Sequence, residues 1–345
     1  MQKRLNRAAL AVLVAVLLVG AGTENHAQGQ YSRKTPITEA VEKTRNSIVT
    51  IKVERQGNWG RNEVVGTGVI IDDRGYVVTN CHVVTGCDKV SVQLADDTEI
   101  VAKIVAEDAM HDLAILFVKT TRKLVELPLG PASDLKVGET IIAVGHPFGY
   151  TNTVSTGIVS AKGRDIPTPT GGRLHNLIQT NASINPGNSG GPMLNINGEL
   201  IGINVALREG AQGIAFALNA DTVQRVLSKH LSAARMARVA HGLVCSEKVV
   251  AEEGDDRQQV VIDRVAEKSP AAAAGLKAGD VLVKIGDRKV TNRFDVERAL
   301  WSYKSGDELK ASVLRDGKAT TLALMLVKGE PIATVSTEDV DIVKK

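Results

Sequence analysis

The sequence predicts a mostly β protein built as two units, and three observations lead there. From Ile48 to Ala217 the chain runs as short Val- and Ile-rich segments broken by Gly, Asn and Asp, such as Ser47-Ile48-Val49-Thr50-Ile51-Lys52-Val53 and Lys89-Val90-Ser91-Val92-Gln93-Leu94. Strands at that spacing imply antiparallel barrels or sandwiches. A helical stretch follows at 219–238, and beyond it a second pattern mixes strand with short helix. A length of 345 residues with 43% apolar content suits about two ordinary domains.

Taken in order, residues 1–27 read as a secretory signal. Lys3, Arg4 and Arg7 precede an apolar run from Ala8 to Val19, and the small residues Gly20, Ala21 and Gly22 follow. The run is short for a spanning helix of about 20 residues. Cleavage after Gly22, cleavage after Ala27 and retention as a membrane anchor all stay open, and each exports the remainder. Residues 37–46 predict a short helix within a first domain at 31–228. The 219–238 helix carries Val223, Val226, Leu227 and Leu231 on one face. It closes that domain and leads into a linker at 229–241, a second domain at 242–328 and a polar tail at 329–345.

Composition narrows the function classes. The net charge is +3, with no basic block beyond the N-terminus, which argues against nucleic acid as the main partner. The seven histidines are scattered with no i, i+4 pair, so neither a metal site nor a cofactor is expected. In an oxidising compartment Cys81 and Cys87 are either a disulfide pair or small residues packed near the histidine segment, with Cys245 left as an odd thiol.

The chemistry is concentrated in Thr180-Asn181-Ala182-Ser183-Ile184-Asn185-Pro186-Gly187-Asn188-Ser189-Gly190-Gly191-Pro192. A glycine-rich turn exposes backbone amides, so it can hold a serine nucleophile and an oxyanion hole together. The hydroxyl needs an imidazole to remove its proton, and the imidazole needs a carboxylate to fix its tautomer. His82 and Asp112 are the upstream candidates. Gly187-Asn188-Ser189-Gly190-Gly191 also satisfies the G-x-S-x-G elbow of α/β-hydrolases, but those run Ser, acid, His. The order here is His82, Asp112, Ser189, as in chymotrypsin-like proteases. The residues after the serine read as two strands around Asn197-Gly198, where an elbow would open a helix.

The blocks Gly66-Thr67-Gly68-Val69-Ile70-Ile71, Thr79-Asn80-Cys81-His82-Val83-Val84, Asp112-Leu113-Ala114-Ile115-Leu116, Gly145-His146-Pro147-Phe148-Gly149 and Gly187-Asn188-Ser189-Gly190-Gly191-Pro192 stand in one order. With the downstream segment Ser269-Pro270-Ala271-Ala272-Ala273-Ala274-Gly275-Leu276-Lys277-Ala278-Gly279-Asp280, which is similar to a PDZ core, the chain resembles the HtrA/DegP/DegQ-type (Do-like) serine proteases over residues 37 to 328. It departs from the family pattern at Asn181, usually Asp, at His146, often Asn, and at Cys245, usually Gly.

The resemblance implies a chymotrypsin-like double β-barrel followed by one α+β PDZ domain. It implies Ser189 as nucleophile, His82 as general base and then acid, Asp112 as orienting carboxylate, and an oxyanion hole from Gly187 and Ser189 with Asn188 shaping the turn. Ile184, Ala206 and Leu207 would line an apolar pocket, and Ser183 supplies no acid for a basic side chain. Arg164 is either an ordinary surface residue in a long loop or part of a sensor loop that orders the oxyanion hole. Gly242, Leu243, Val244, Cys245 and Ser246 would form the loop that binds a C-terminal carboxylate. The implied function is an exported, ATP-independent endopeptidase of envelope protein quality control, acting on unfolded polypeptides in the periplasm as a homotrimer or larger assembly. The alternative is a PDZ-containing chaperone or adaptor with minor proteolysis.

Overall fold

The computed structural model describes residues 33–57, 60–146, 153–168, 171–205, 213–252 and 255–329. The signal segment 1–27, the tail beyond Gly329, and Ala206 and Leu207 lie outside them. After helix α1 (Pro36–Thr44) and a single 3-10 turn, six strands form a first closed barrel. They are β1 (Ile48–Gly57), β2 (Gly60–Asp72), β3 (Tyr76–Thr79), β4 (Lys89–Gln93), β5 (Glu99–Asp108) and β6 (Leu113–Val118), in the order β1-β2-β3-β6-β5-β4. A second closed barrel follows from β7 (Thr140–Gly145), β8 (Thr153–Pro167), β9 (Arg173–Thr180), β10 (Pro192–Leu194), β11 (Leu200–Val205) and β12 (Ala215–Asn219).

The uninterrupted apolar runs follow from burial on both strand faces. Ile70, Ala114 and Leu116 fill the first barrel, and Ile141 and Ala143 the second. Their alternating neighbours Val69, Ile71, Leu113, Ile115, Ile142 and Val144 belong to a third apolar layer that joins the two barrels. Each such Val, Leu or Ile side chain contributes about 1.5–3 kcal/mol when fully buried.

The helix expected at 219–238 is shorter than its apolar face suggests. It starts at an Asn219 cap, whose side chain accepts the Asp221 amide at 2.8 Å, and ends as α3 at Ala220–His230. Leu231 leaves helical geometry and Ser232 is extended, which starts a separate turn α4 (Ala233–Met236). Propensity continues through this stretch; the chain direction does not, because Leu231 and Ala233 are drawn into two different cores.

The C-terminal unit pairs β13 (Val239–Ala240) with β20 (Val327–Lys328) beside a sheet in the order β14-β15-β16-β18-β19. Those strands are β14 (Leu243–Glu252), β15 (Asp255–Val265), β16 (Val281–Ile285), β18 (Glu308–Arg315) and β19 (Lys318–Met325), with β17 (Arg288–Lys289) on β16. Two helices complete it: α5 (Pro270–Ala273) and α6 (Arg293–Ala299). A capping box starts α6: Asn292 Oδ1 accepts the Asp295 amide at 3.0 Å and Asp295 Oδ2 accepts the Asn292 amide at 3.2 Å.

Helix α6 ties this unit to the first barrel. Phe294 is fully buried in the layer shared by the barrels, while Val296, Ala299 and Leu300 join the core of the C-terminal sheet. Trp301 stacks edge-on against Tyr76, 5.1 Å between centroids, and donates to the Leu231 carbonyl at 2.9 Å. The Arg74 guanidinium lies 4.2 Å over its ring. Arg298, only 7% exposed, donates to the Ile71 carbonyl and to Glu126 at 2.8 Å each, and to Asp295 at 2.8 Å. Asp72 is fully buried beneath it and paired with Arg74 at 2.7 Å.

Candidate active site

β3 ends at Thr79, and the chain turns at Asn80 into a single helical turn, α2 (Cys81–Val84). That turn hangs on the residue before β6. The Cys81 amide and Asn80 Nδ2 donate to the Asp112 carbonyl at 3.1 and 2.9 Å, and the His82 amide donates to Asp112 Oδ1 at 2.9 Å. His82 Nδ1 meets Asp112 Oδ2 at 2.7 Å. One residue therefore occupies both carboxylate oxygens, which fixes the ring and its tautomer: Nδ1 carries the proton and Nε2 stays basic.

Asp112 holds φ at +51°, a left-handed conformation that a short polar side chain tolerates. The turn before it is pinned by Asp108, which bonds His111 Nδ1 at 2.8 Å and His230 Nε2 at 3.3 Å. Burial pushes the Asp108 carboxyl up, but the bond and charge of His111, aided by the His230 bond, hold it below the usual carboxylate range. Arg55 Nη2 closes the other end of α2 by donating to the His82 and Val83 carbonyls at 3.1 and 2.9 Å.

The serine turn packs directly against this segment. Gly187 and Gly190 have φ of +98° and +82°, which side chains other than glycine's rarely adopt. A Cβ on Gly190 would sit 2.2 Å from the Thr67 carbonyl oxygen and 3.1 Å from the Asn80 amide, so only glycine lets the turn approach the residues leading into His82. The Gly191 amide donates to the Asn188 carbonyl at 3.0 Å, which sets the plane of the Asn188–Ser189 peptide and turns the Ser189 amide the other way. β10 follows at once, with no helix after the serine. The turn to β11 is organised by Asn195, whose Oδ1 accepts the Asn197 and Glu199 amides at 3.0 Å.

Comparison with known proteins agrees with this geometry. The trypsin-like peptidase domain family matches residues 66–203, and the PDZ domain family matches residues 210–326. A probable periplasmic serine endoprotease DegP-like of Rickettsia prowazekii is 33% identical over 84% of this chain and 58% of its own length. The periplasmic serine endoprotease DegP of Salmonella typhimurium is 36% identical over 78% of this chain and 59% of its own. Among solved structures, the HtrA-type protease AlgW with tripeptide is 29% identical at a TM-score of 0.53, covering 85% of this chain and 97% of that one. The serine endoprotease from Yersinia pestis is 27% identical at 0.50, covering 86% and 99%. The chain belongs to the HtrA-type serine protease family. It spans under two thirds of the length of the DegP relatives.

The departures from the HtrA pattern have local accounts. Asn181 Oδ1 accepts the Ile158 amide at 2.8 Å, a bond that an aspartate would also make, so the change removes charge and keeps the acceptor. His146 is buried, with Nδ1 bonded to Thr50 Oγ1 at 2.5 Å and its amide donating to Thr67 Oγ1 at 2.9 Å. Cys81, Cys87 and Cys245 are free thiols. Cys81 is buried and contacts Thr85 and Glu107, which corresponds to packing rather than pairing. Among the described residues, Asp72, Asp73 and Glu126 lie close enough to share a cation, but each already faces a cationic side chain: Arg74, Lys123 and Arg298.

Two expectations change. Arg164 is not in a loop but on β8, opposite Leu177 of β9, with Nε donating to Gln179 at 3.1 Å. Of the residues that suggested a loop, Pro167 pairs with Arg173 at the end of β8 and Gly171 and Gly172 lie in the connection beyond it, while register shifts on either side of Gly163, at φ +67°, let the strand run on through Arg164. Likewise only Gly242, at φ +80°, makes a turn. Leu243, Val244, Cys245 and Ser246 already lie in β14, paired to β15 around a bulge between Val244 and Cys245. β14 ends the sheet and runs beside α6, to which it is tied by Glu247: the Arg293 amide donates to its Oε1 at 2.7 Å, and the guanidinium grips both carboxylate oxygens. Burial and the nearby Asp263, Glu297 and Glu247 charges push the Cys245 thiol up to about 12. Ile184 packs on the edge of the second barrel's core.

Sequence reasoning did not assign roles to Thr67, Arg55 or the Asp108–His111–His230 cluster. Thr67 stood inside a quoted motif; Asp108 and His111 are only three residues apart, whereas the partners of Arg55 and His230 lie 27 and 122 residues away and leave no local signal.

Proposed function

We propose that the protein is an ATP-independent serine endopeptidase that cleaves unfolded or damaged exported polypeptides in the periplasm. The observation that carries this reading is the His82–Asp112 pair, with Nδ1 to Oδ2 at 2.7 Å, set beside the Gly187–Gly191 turn. Ser189 Oγ attacks the scissile carbonyl while His82 Nε2 takes its proton and later returns it to the leaving amine. Asp112, bonded to Nδ1 through Oδ2, stabilises the imidazolium. The amides of Gly187 and Ser189 receive the oxyanion; one such donor contributes a factor of about 10²–10³ in kcat.

Ile184, with Ala206 and Leu207, favours small or medium aliphatic side chains before the scissile bond. A C-terminal peptide adds as a strand to the free edge of β14, guided by Leu243, Val244, Cys245 and Ser246 beside α6. Arg164 relays that binding to the oxyanion turn. The functional units are the protease domain at 31–228, the linker at 229–241 and the PDZ domain at 242–328, in a homotrimer or larger assembly exported by residues 1–27.

Casein digestion by the wild type and by Ser189→Ala tests the reading. Loss on the order of 10⁶ in kcat is expected for a serine acting within an intact triad. Retention of a tenth of wild-type turnover would overturn it, and predominant cleavage after Lys or Arg, read by mass spectrometry, would overturn the pocket assignment alone.

A further inference from the structure

Thr67, on β2 of the first barrel, makes four hydrogen bonds beyond its own strand, two of them to the serine turn of the second barrel. Its Oγ1 donates to the Gly187 carbonyl at 2.6 Å and accepts the His146 amide at 2.9 Å. Its amide donates to the Ser189 carbonyl at 3.0 Å, and its carbonyl accepts Thr79 Oγ1 at 2.7 Å. The residue is fully buried, so water does not compete for these groups.

A peptide group is planar, so holding a carbonyl fixes the amide on its far side and the flanking dihedrals. Thr67 holds the Gly187–Asn188 and Ser189–Gly190 peptides. Between them lies Asn188–Ser189, one of the two peptides whose amides are assigned to the oxyanion hole. Gly187, at φ +98°, lacks the steric restraint a side chain would give, so its neighbourhood depends on external bonds for a single conformation. The Thr79 bond, one residue before Asn80, links the same residue to the segment that carries His82. His146, standing where the family often has Asn, continues the chain outward to Thr50 of β1.

We propose that Thr67 is a positioning residue that sets the oxyanion turn of the second barrel from the first, through its hydroxyl on the Gly187 carbonyl. The proposal rests on the Ser189 reading above. It predicts that loss of the hydroxyl acts on the transition state, where the oxyanion forms, rather than on substrate binding.

The test compares Thr67→Val, which keeps the branched shape and removes the hydroxyl, with Thr67→Ser, which keeps the hydroxyl. Both are assayed on an aliphatic peptide substrate at a temperature where circular dichroism finds each variant fully folded. Thr67→Val is expected to lose about 10- to 100-fold in kcat with KM changed less than about threefold. Its second-order rate of labelling by an active-site organophosphonate should fall in parallel, because the phosphonyl oxygen occupies the same hole. Thr67→Ser should restore both to within about threefold. Equal losses in the two variants, or a raised KM with unchanged kcat, would overturn the proposal. Failure of the phosphonate to label Ser189 in the wild type would instead overturn the triad reading on which it stands. If Thr67→Val does not fold, Thr67→Ser against Thr67→Ala decides, the hydroxyl-bearing variant alone retaining kcat.

Discussion

Replacing Arg298 with methionine removes a buried cation from the seam between α6 and the first barrel. Its side chain is 7% exposed and bonds Asp295 through Nε at 2.8 Å and Nη2 at 2.6 Å, with Glu126 and the Ile71 carbonyl at 2.8 Å each. Breaking a buried pair by deleting one partner costs about 3–5 kcal/mol, because the remaining charge is left uncompensated. Here the lower end applies: Glu126 is about a third exposed, Asp72 keeps Arg74, and methionine refills much of the volume. A loss of about 3 kcal/mol lowers the melting temperature by about 6–12 °C for a unit of 150–250 residues. Calorimetry measures this. Trp301 adds a local readout, being one of two tryptophans and packed beside the same helix, so its emission should shift as the seam loosens. Arg298→Lys should fall between, since an ammonium cannot reproduce the fork to Asp295 and Glu126 together. A melting temperature within about 2 °C of wild type for Arg298→Met would refute the reasoning and mean that the apolar contacts of Phe294 and Trp301 hold the seam alone.

Two further outcomes follow from charge. At pH 8 the Cys245 thiol, pushed up to about 12, should resist iodoacetamide in the folded protein and react only on unfolding; prompt labelling of that cysteine by mass spectrometry would contradict it. Burial acts to lower the His241 pKa, but the Glu297 carboxylate beside it prevails and raises it, so its contribution to stability is complete below about pH 6.5 and fades as pH rises through the raised value. Denaturation of His241→Asn should therefore show its deficit growing as pH falls from 9 to 5.5, and a deficit independent of pH would exclude the charge as the cause.

Local chemistry was legible in the sequence. The glycines around Ser189 and the short apolar runs each act within a few residues, so the serine turn and the strands could be read locally; the choice of barrels over sandwiches, and the joining of His82 and Asp112 to Ser189, rested on motif order along the chain and the resemblance it carries. What was not legible depends on distant partners. Apolar spacing alone extends the helix past His230, because nothing in Leu231-Ser232-Ala233 reveals that its two apolar residues serve different cores. Proline and glycine beyond Arg164 suggested a loop, since how far β8 extends before its turn is set by pairing with the facing strand β9. Nothing near Arg298 in the sequence marks it as a seam residue, because its contacts at Ile71 and Glu126 lie 227 and 172 residues away.

Helix α6 supplies Phe294 to the barrel layer and Val296, Ala299 and Leu300 to the PDZ core, and so it is a member of both. The sequence boundary between the two units is therefore not a boundary of cohesion. Cutting the chain near residue 242 would strip an aromatic side chain from the protease and leave Tyr76 with Phe117 as its ring neighbour but without Trp301, while the released fragment would present Phe294 and Trp301 to water. Each half would acquire a greasy scar at the same place, and the two scars are complementary. Separately expressed halves would be expected to find each other in solution and to unfold as a pair rather than as independent modules.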